Sequence, residues 1–183
     1  MTRIMIVGRN GAGKSTFAKK LQAKTHLSLY HLDKYFFTDH WVERDEKEFM
    51  DFQEKIVATD HWIIDGNCRR SLETRYKRAT VCIYFNVNKW VCLWRILKRR
   101  FFKDQTIDDR APQCREHLSW KLITYCWQFE KRVGASLFIL KEKYPHVIWI
   151  EMKRVRDADE LPHLSWKDER ELCTKTIQTS IKI

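Results

Sequence analysis

Long apolar runs are missing from this chain of 183 residues. Because no run reaches the roughly 18 apolar residues that a bilayer requires, the sequence predicts no membrane-spanning helix and no membrane partner. Arg3 and the glycines that follow it interrupt the apolar N-terminus too early for a secretory leader. The expected compartment is therefore the cytoplasm.

Paired cysteine motifs are also missing, although the chain contains six cysteines. No C-x-x-C pair occurs and no spacing fits a zinc finger or ribbon, which excludes the common structural zinc sites. Cys82 and Cys92 lie in apolar runs and are expected to be small core residues. In the cytoplasm we expect the cysteines to be reduced.

Glycine is scarce, with five residues in the whole chain. Three of the five, Gly8, Gly11 and Gly13, lie within one stretch of six residues. Because a glycine has no Cβ, its backbone can approach another molecule closely. This stretch is therefore the first candidate for a ligand-binding segment.

Composition favours one folded domain with an anionic partner. Hydrophobic residues make up 44% of the chain and charged residues 32%, which suits a globular protein. We predict a single domain over residues 1–164 and a tail over 165–183 whose order the sequence does not specify. The formal charge of +11 favours nucleotides, nucleic acid or an acidic surface, although a general excess of Lys and Arg for solubility is the alternative.

Short apolar runs alternate with helical patterns along the chain. The predicted strands are Arg3–Val7, Leu27–His31, His61–Asp65, Thr80–Phe85 and Val147–Ile150. The predicted helices span residues 15–24, 46–58, 71–77, 89–103, 115–143 and 157–164, and residues 104–113 form a loop. This alternation predicts an α/β fold with a five-stranded parallel sheet flanked by helices.

The glycine-rich stretch matches the P-loop pattern G-x-x-x-x-G-K-[ST] in full. Lys14 is expected to reach the β- and γ-phosphates, and the Ser15 hydroxyl to ligate Mg²⁺. The predicted nucleotide-binding residues are Gly8, Arg9, Asn10, Gly11, Ala12, Gly13, Lys14, Ser15 and Thr16. Because a helix follows directly, its positive end adds to the phosphate site. The pattern therefore predicts binding of ATP with Mg²⁺.

The segment Trp62-Ile-Ile-Asp65-Gly66 resembles the strand of adenylate kinases that ends in Asp-Gly. The resemblance implies that Asp65 holds Mg²⁺ through water, with a cap on the following turn as the alternative role. The same register places Arg69 where those kinases have an arginine on the acceptor phosphate.

Arg95 and Arg99 resemble the R-x-x-x-R pair that opens the adenylate kinase lid. Residues four apart share one helix face, so both guanidinium groups can converge on one anion. A solvated basic helix face is the alternative. Arg110 and Arg132 follow farther along the chain, and either could close over the γ-phosphate. The lid, residues 104–113, is short and has no zinc cysteines.

A broader resemblance covers roughly residues 1–150. The matching segments are Tyr30-His-Leu-Asp33, Trp41, Trp62-Ile-Ile-Asp-Gly-Asn67, Leu93-Trp-Arg-Ile-Leu-Lys-Arg-Arg100 and Trp120. They look like the bacterial DNA topology modulation proteins, which are related to adenylate kinases. The resemblance implies a three-layer P-loop NTPase fold of the nucleoside monophosphate kinase type and an influence on DNA supercoiling.

Residues 33–60 are expected to hold the phosphoryl acceptor. Asp33 follows a strand at the carboxyl edge of the sheet, where it could take a proton from an acceptor hydroxyl or orient the acceptor. A helix or turn cap is the alternative. Trp41 could stack on an acceptor ring or simply pack, and Asn67 is assigned to the same site. His31 is expected to be structural.

Two functions remain open at this point. The first is a small-molecule kinase, active as a monomer or homodimer, which uses Lys14, Asp33, Arg95 and Arg99 in transfer to a nucleotide, nucleoside or other small acceptor. The second is a nucleotide-regulated DNA-binding protein, although no helix-turn-helix, zinc finger or RNP pattern occurs. If Arg95 and Arg99 point into the nucleotide cleft they serve chemistry, whereas a continuous outer basic stripe that includes them would favour DNA.

Overall fold

The computed structural model describes residues 1–36, 38, 42–99 and 120–153. The strands are β1 (Thr2–Gly8), β2 (Leu29–His31), β3 (His61–Asp65), β4 (Val81–Phe85) and β5 (Ile148–Met152). The helices are α1 (Lys14–Thr25), α2 (Leu32–Phe36), α3 (Glu46–Ala58), α4 (Leu72–Arg78), α5 (Lys89–Arg99), α6 (Trp120–Phe129), a π-helical turn (Glu130–Gly134) and α7 (Ala135–Lys143).

The five strands form one parallel sheet in the order β2-β3-β1-β4-β5. The predicted five-stranded parallel α/β fold is therefore confirmed. The strand β1 lies at the centre, and Ile6 of β1 pairs with Asp65 of β3, which in turn pairs with His31 of β2. Parallel strands end at the same edge, so His31 and Asp65 meet beside the loop that follows β1.

Alternating side chains of the sheet enter two separate cores. Met5 of β1 packs in the core that contains Phe49 of α3, together with residues of α4 and α7. Its neighbour Ile4 packs in the other core, with Phe17 of α1 and Ile96 of α5. Because the central strands are buried on both faces, their middle residues are apolar, as parallel strands between two helical layers require.

Most predicted elements are found close to their predicted bounds. β3 and α3 have the predicted bounds, and Cys82 and Cys92 are buried core residues as expected. β2 begins at Leu29 and not at Leu27, because the chain leaves α1 through a left-handed His26 with a φ of 57°. The predicted helix at 157–164, the loop at 104–113 and the tail at 165–183 lie outside the described residues.

The predicted uninterrupted helix over 115–143 is wrong at its centre, where the π-helical turn separates α6 from α7. Gly134 closes this turn, and a Cβ at that position would lie 2.5 Å from Oε2 of Glu130. The extra residue of a π turn leaves the apolar spacing on either side almost unchanged, so periodicity does not reveal it. The short α2 was also not predicted.

The sequence predicted no membrane-spanning helix. Within the described ranges, no helix combines the length and the apolar character that crossing a bilayer requires.

Candidate functional site

The P-loop connects the central strand β1 to α1 in the predicted strand-loop-helix order. The backbone N–H of Ala12 donates to the carbonyl of Arg9 at 3.2 Å, which closes the turn. Lys14 Nζ donates to the same carbonyl at 3.0 Å. The N-cap of α1 is Gly13, which provides no side-chain cap, so the first N–H groups of α1 remain available to an anion.

Gly11 lies directly against α5. Its φ is +81°, and a Cβ on it would stand 2.4 Å from the carbonyl oxygen of Cys92. Only glycine fits this combination of left-handed backbone and close contact. The P-loop therefore packs directly against the backbone of α5.

Ser15, His31 and Asp65 converge at the mouth of the P-loop. The Ser15 hydroxyl donates to Oδ2 of Asp65 at 3.0 Å, and Nδ1 of His31 lies 2.9 Å from the same oxygen. Burial by itself would raise the pKa of Asp65, but the hydrogen bond with His31 and the charge of Lys14 lower it below its usual range. Asp65 is therefore a carboxylate held in a fixed orientation.

The other oxygen of Asp65 is suited to a Mg²⁺ site. Oδ1 is buried and has no hydrogen-bond partner among the described residues. No group of three or more His, Cys, Asp or Glu side chains that could hold a metal occurs within those residues either. Mg²⁺ usually takes one or two protein groups and completes its shell with phosphates and water. Ser15 and Asp65 fit that requirement.

A small cleft extends from the P-loop toward α2. It is lined by Lys14, Ser15, His31, Asp33, Asp65, Gly66 and Asn67. Asp33 is exposed at its outer end, in the first turn of α2. The structure therefore brings together the predicted phosphate, metal and acceptor residues.

Asn67 contacts the P-loop more closely than its predicted acceptor role requires. Its Oδ1 accepts from the N–H of Gly8 at 3.1 Å, and its Nδ2 donates to the carbonyl of Gly8 at 2.8 Å. A weaker contact of 3.4 Å reaches Oδ1 of Asn10. Asn67 thus clamps the start of the loop, and its role toward an acceptor stays a prediction.

Of the other predicted site residues that the structure describes, one points at the P-loop and three are exposed. A guanidinium nitrogen of Arg95 lies 3.5 Å from the carbonyl of Ala12, so this half-buried side chain points at the P-loop. Arg69, Arg132 and Thr16 are exposed. Trp41, Arg110 and the side chain of Arg99 lie outside the described part of the chain.

Arg75 holds the backbone next to the candidate site by hydrogen bonds, a role that was not predicted from the sequence. It is fully buried, and its guanidinium donates to the carbonyls of Gly66 at 3.1 Å and Cys68 at 2.7 Å, and to the hydroxyl of Ser71 at 3.1 Å. Burial lowers the pKa of Arg75 to about 10. These bonds hold the backbone on both sides of Asn67, the residue whose side chain is hydrogen-bonded to the start of the P-loop.

Arg75→Met is expected to destabilise the fold by about 3 kcal/mol, because the buried carbonyl of Gly66, the half-buried carbonyl of Cys68 and the hydroxyl of Ser71 lose their donor. The matched control is Arg78→Met, whose guanidinium donates to the carbonyls of Val57 and Ala58 at the surface. We expect the control to cost less than about 1 kcal/mol. Urea unfolding of both variants measures the difference, and equal losses would contradict a structural role for Arg75.

No family model and no curated protein matches this sequence. The solved structures that share its fold include two shikimate kinases. Shikimate kinase from Aquifex aeolicus is 15% identical with a TM-score of 0.51, over 98% of this chain and 99% of that chain. Shikimate kinase from Acinetobacter baumannii in complex with shikimate is 13% identical with a TM-score of 0.51, over 100% and 96%. The chain therefore shares the fold of these two proteins, and its resemblance to DNA topology modulation proteins stays a prediction.

Proposed function

We propose that this chain is a kinase that transfers the γ-phosphoryl group of ATP to a small acceptor with a hydroxyl or phosphate group. The observation that carries the proposal is the convergence of Ser15, His31 and Asp65 at the end of the P-loop, where Asp65 has a buried oxygen without a partner among the described residues. A cleft leads from this cluster to Asp33. The fold is shared with two shikimate kinases, which agrees with a small-molecule acceptor.

The phosphate half of the site consists of the loop and Lys14. Free N–H groups at the start of α1 bind phosphate oxygens, and Lys14 moves from the carbonyl of Arg9 to the phosphates. Mg²⁺, when bound by Ser15 and Asp65, neutralises charge on the phosphate oxygens. His31 holds the Asp65 carboxylate in the orientation that this role requires.

Cations at the rim stabilise the charge that develops during transfer. Arg95 already points at the loop, 3.5 Å from the carbonyl of Ala12. Arg132 lies on the π-helical turn, with Arg99 and Arg110 as further candidates from the sequence. Such fixed positive groups lower the barrier mainly by electrostatic stabilisation.

The acceptor half of the site lies between α2 and α6. Asp33 takes the proton of an acceptor hydroxyl or orients it by a hydrogen bond. Tyr125 of α6 is close enough to be affected by Asp33, because burial raises the pKa of Tyr125 to about 12 and the negative charge of Asp33 adds to the rise. Tyr125 therefore keeps its hydroxyl proton and can act as a hydrogen-bond donor near Asp33. Asn67, Arg69 and Trp41 remain proposed acceptor contacts.

An acceptor panel tests this function directly. We would incubate the protein with Mg-ATP and with nucleosides, nucleoside monophosphates or small hydroxylated acids, and follow ADP release. Release that depends on one class of acceptor is expected and would identify that class. Tight ATP binding without acceptor-dependent release across the panel would count against the kinase.

Asp65→Asn is expected to raise the Mg²⁺ concentration for half-maximal activity by about 10- to 100-fold, because an amide is a weaker ligand than a carboxylate. The affinity for ADP without Mg²⁺ should change much less. Calorimetry of ADP binding with and without Mg²⁺ separates the two effects. An unchanged ratio of the two affinities in Asp65→Asn would rule out the proposed metal role.

The DNA-binding alternative requires a continuous basic stripe on the outside of α5. Arg95, one of the cations that such a stripe needs, is instead half-buried against the P-loop. This placement supports the kinase over the DNA-binding alternative.

A further inference from the structure

The P-loop residue Arg9 directs its guanidinium to the protein interior and not to the cleft. Arg9 is 6% exposed, and its NH1 donates to the carbonyl of Val87 at 3.1 Å. Its NH2 forms an ion pair of 2.7 Å with Oε1 of Glu130. The guanidinium also lies 5.7 Å from the ring centroid of Phe129. The side chain of Arg9 is therefore turned away from the cleft, and only its backbone faces the phosphate site, so its predicted place among the nucleotide-binding residues stays a prediction for the backbone.

Glu130 is also held in place by Tyr84 and fits the space beside Gly134. The hydroxyl of Tyr84, a buried residue of β4, donates to both carboxylate oxygens at 3.1 and 3.2 Å. Burial raises the pKa of Tyr84, so this hydroxyl remains a donor. The absence of a side chain at Gly134 leaves the space that Oε2 of Glu130 occupies. The π-helical turn is thus shaped around this carboxylate.

The backbone of Arg9 connects this ion pair to the loop lysine. The Arg9 carbonyl accepts from Ala12 and from Lys14 Nζ, so its position fixes both the turn and the resting place of the lysine. At the other end of the pair, Glu130 begins the turn that carries Arg132 two residues later. One ion pair therefore links the P-loop to the segment that carries a candidate transfer arginine.

We propose that the Arg9–Glu130 ion pair, held by Tyr84, positions the P-loop for nucleotide binding and sets the place of Arg132 relative to it. The part of this inference that concerns transfer rests on the proposed kinase function, whereas the part that concerns nucleotide affinity does not. The pair is screened by solvent only on the side of Glu130, whose side chain is 42% exposed, and is enclosed by protein on the side of Arg9. Its effect on the geometry of the loop is local and direct.

A double-mutant cycle on ADP affinity tests the inference. We expect Arg9→Met and Glu130→Gln each to raise the Kd of ADP about tenfold, and the double variant to raise it no further, since both break the same link. Tyr84→Phe should raise it less. Glu73→Gln is the matched control, because Glu73 accepts from Lys143 and Tyr144 at 2.7 Å each at a distant surface.

The KM for ATP separates positioning from a general loss of stability. It should rise in Arg9→Met and Glu130→Gln while the KM for the acceptor stays within about twofold, and thermal melting confirms that each variant is folded. If Arg9→Met does not fold, Glu130→Gln and Tyr84→Phe carry the test. An ADP affinity within twofold of the wild type in the folded variants, or additive effects in the double variant, would overturn the inference. If the variants lose ADP affinity and the wild type shows no acceptor-dependent transfer, the inference about the P-loop is upheld and the proposed kinase function is rejected.

Discussion

Lys14→Met lowers acceptor-dependent turnover by about 10²–10³-fold or more and weakens the binding of ATP. The reason is that Lys14 is the P-loop cation proposed to move from the Arg9 carbonyl to the phosphates, and a single donor to the developing charge contributes about 3–4 kcal/mol to the transition state. Methionine keeps the length of the side chain, and the Arg9 carbonyl keeps its bond from Ala12 N–H, so the fold should survive.

The control for this prediction is Lys24→Met, which removes a charge from the exposed last turn of the same helix. Steady-state rates and ADP calorimetry on both variants give the comparison. If Lys14→Met keeps the rate of the wild type, or if Lys24→Met loses as much, the P-loop does not support catalysis in the proposed way.

Asp33→Asn should lower kcat by about 10²–10⁴-fold if the carboxylate takes the acceptor proton, because an amide cannot act as a base. The affinity for Mg-ADP should remain that of the wild type, since Asp33 is an exposed residue of α2 and is not one of the proposed phosphate or metal residues. The effect would therefore separate the acceptor half of the site from the phosphate half.

Asp60→Asn provides the matched control for Asp33→Asn. Asp60 is exposed and precedes β3 at the opposite, amino edge of the sheet, where it pairs with Arg3 at 3.5 Å. Pre-steady-state rates and acceptor titrations distinguish the outcomes. A normal kcat with a raised KM for the acceptor would assign Asp33 to binding instead of proton transfer.

The placement in the fold of those site residues that are contiguous in sequence could be predicted. The P-loop was found because its glycines, Lys14 and Ser15 are neighbours in the chain and each has a fixed chemical role. The position of Asp65 could be inferred because a buried strand that stops at Asp-Gly ends at the carboxyl edge of a parallel sheet. The strand bounds followed from short apolar runs between polar turns.

The parts that depend on tertiary pairing could not be predicted. The contact of His31 with Asp65 requires β2 to pair with β3, and the spacing of apolar residues does not specify which strands are neighbours. In the sequence Arg75 is one of four basic residues between positions 70 and 78, and nothing distinguishes the buried one. Glu130 lies in a regular helical pattern that conceals the π-helical turn.

The central claim is that the P-loop of this chain transfers a phosphoryl group, and the most direct test follows that group. ATP labelled with ³²P at the γ-position would be incubated with the protein, Mg²⁺ and the acceptor panel, and the products separated by chromatography. The account predicts label on one class of acceptor with the wild type and its loss with Lys14→Met. Label that stays in ATP, or that appears only as inorganic phosphate whatever acceptor is present, would contradict it.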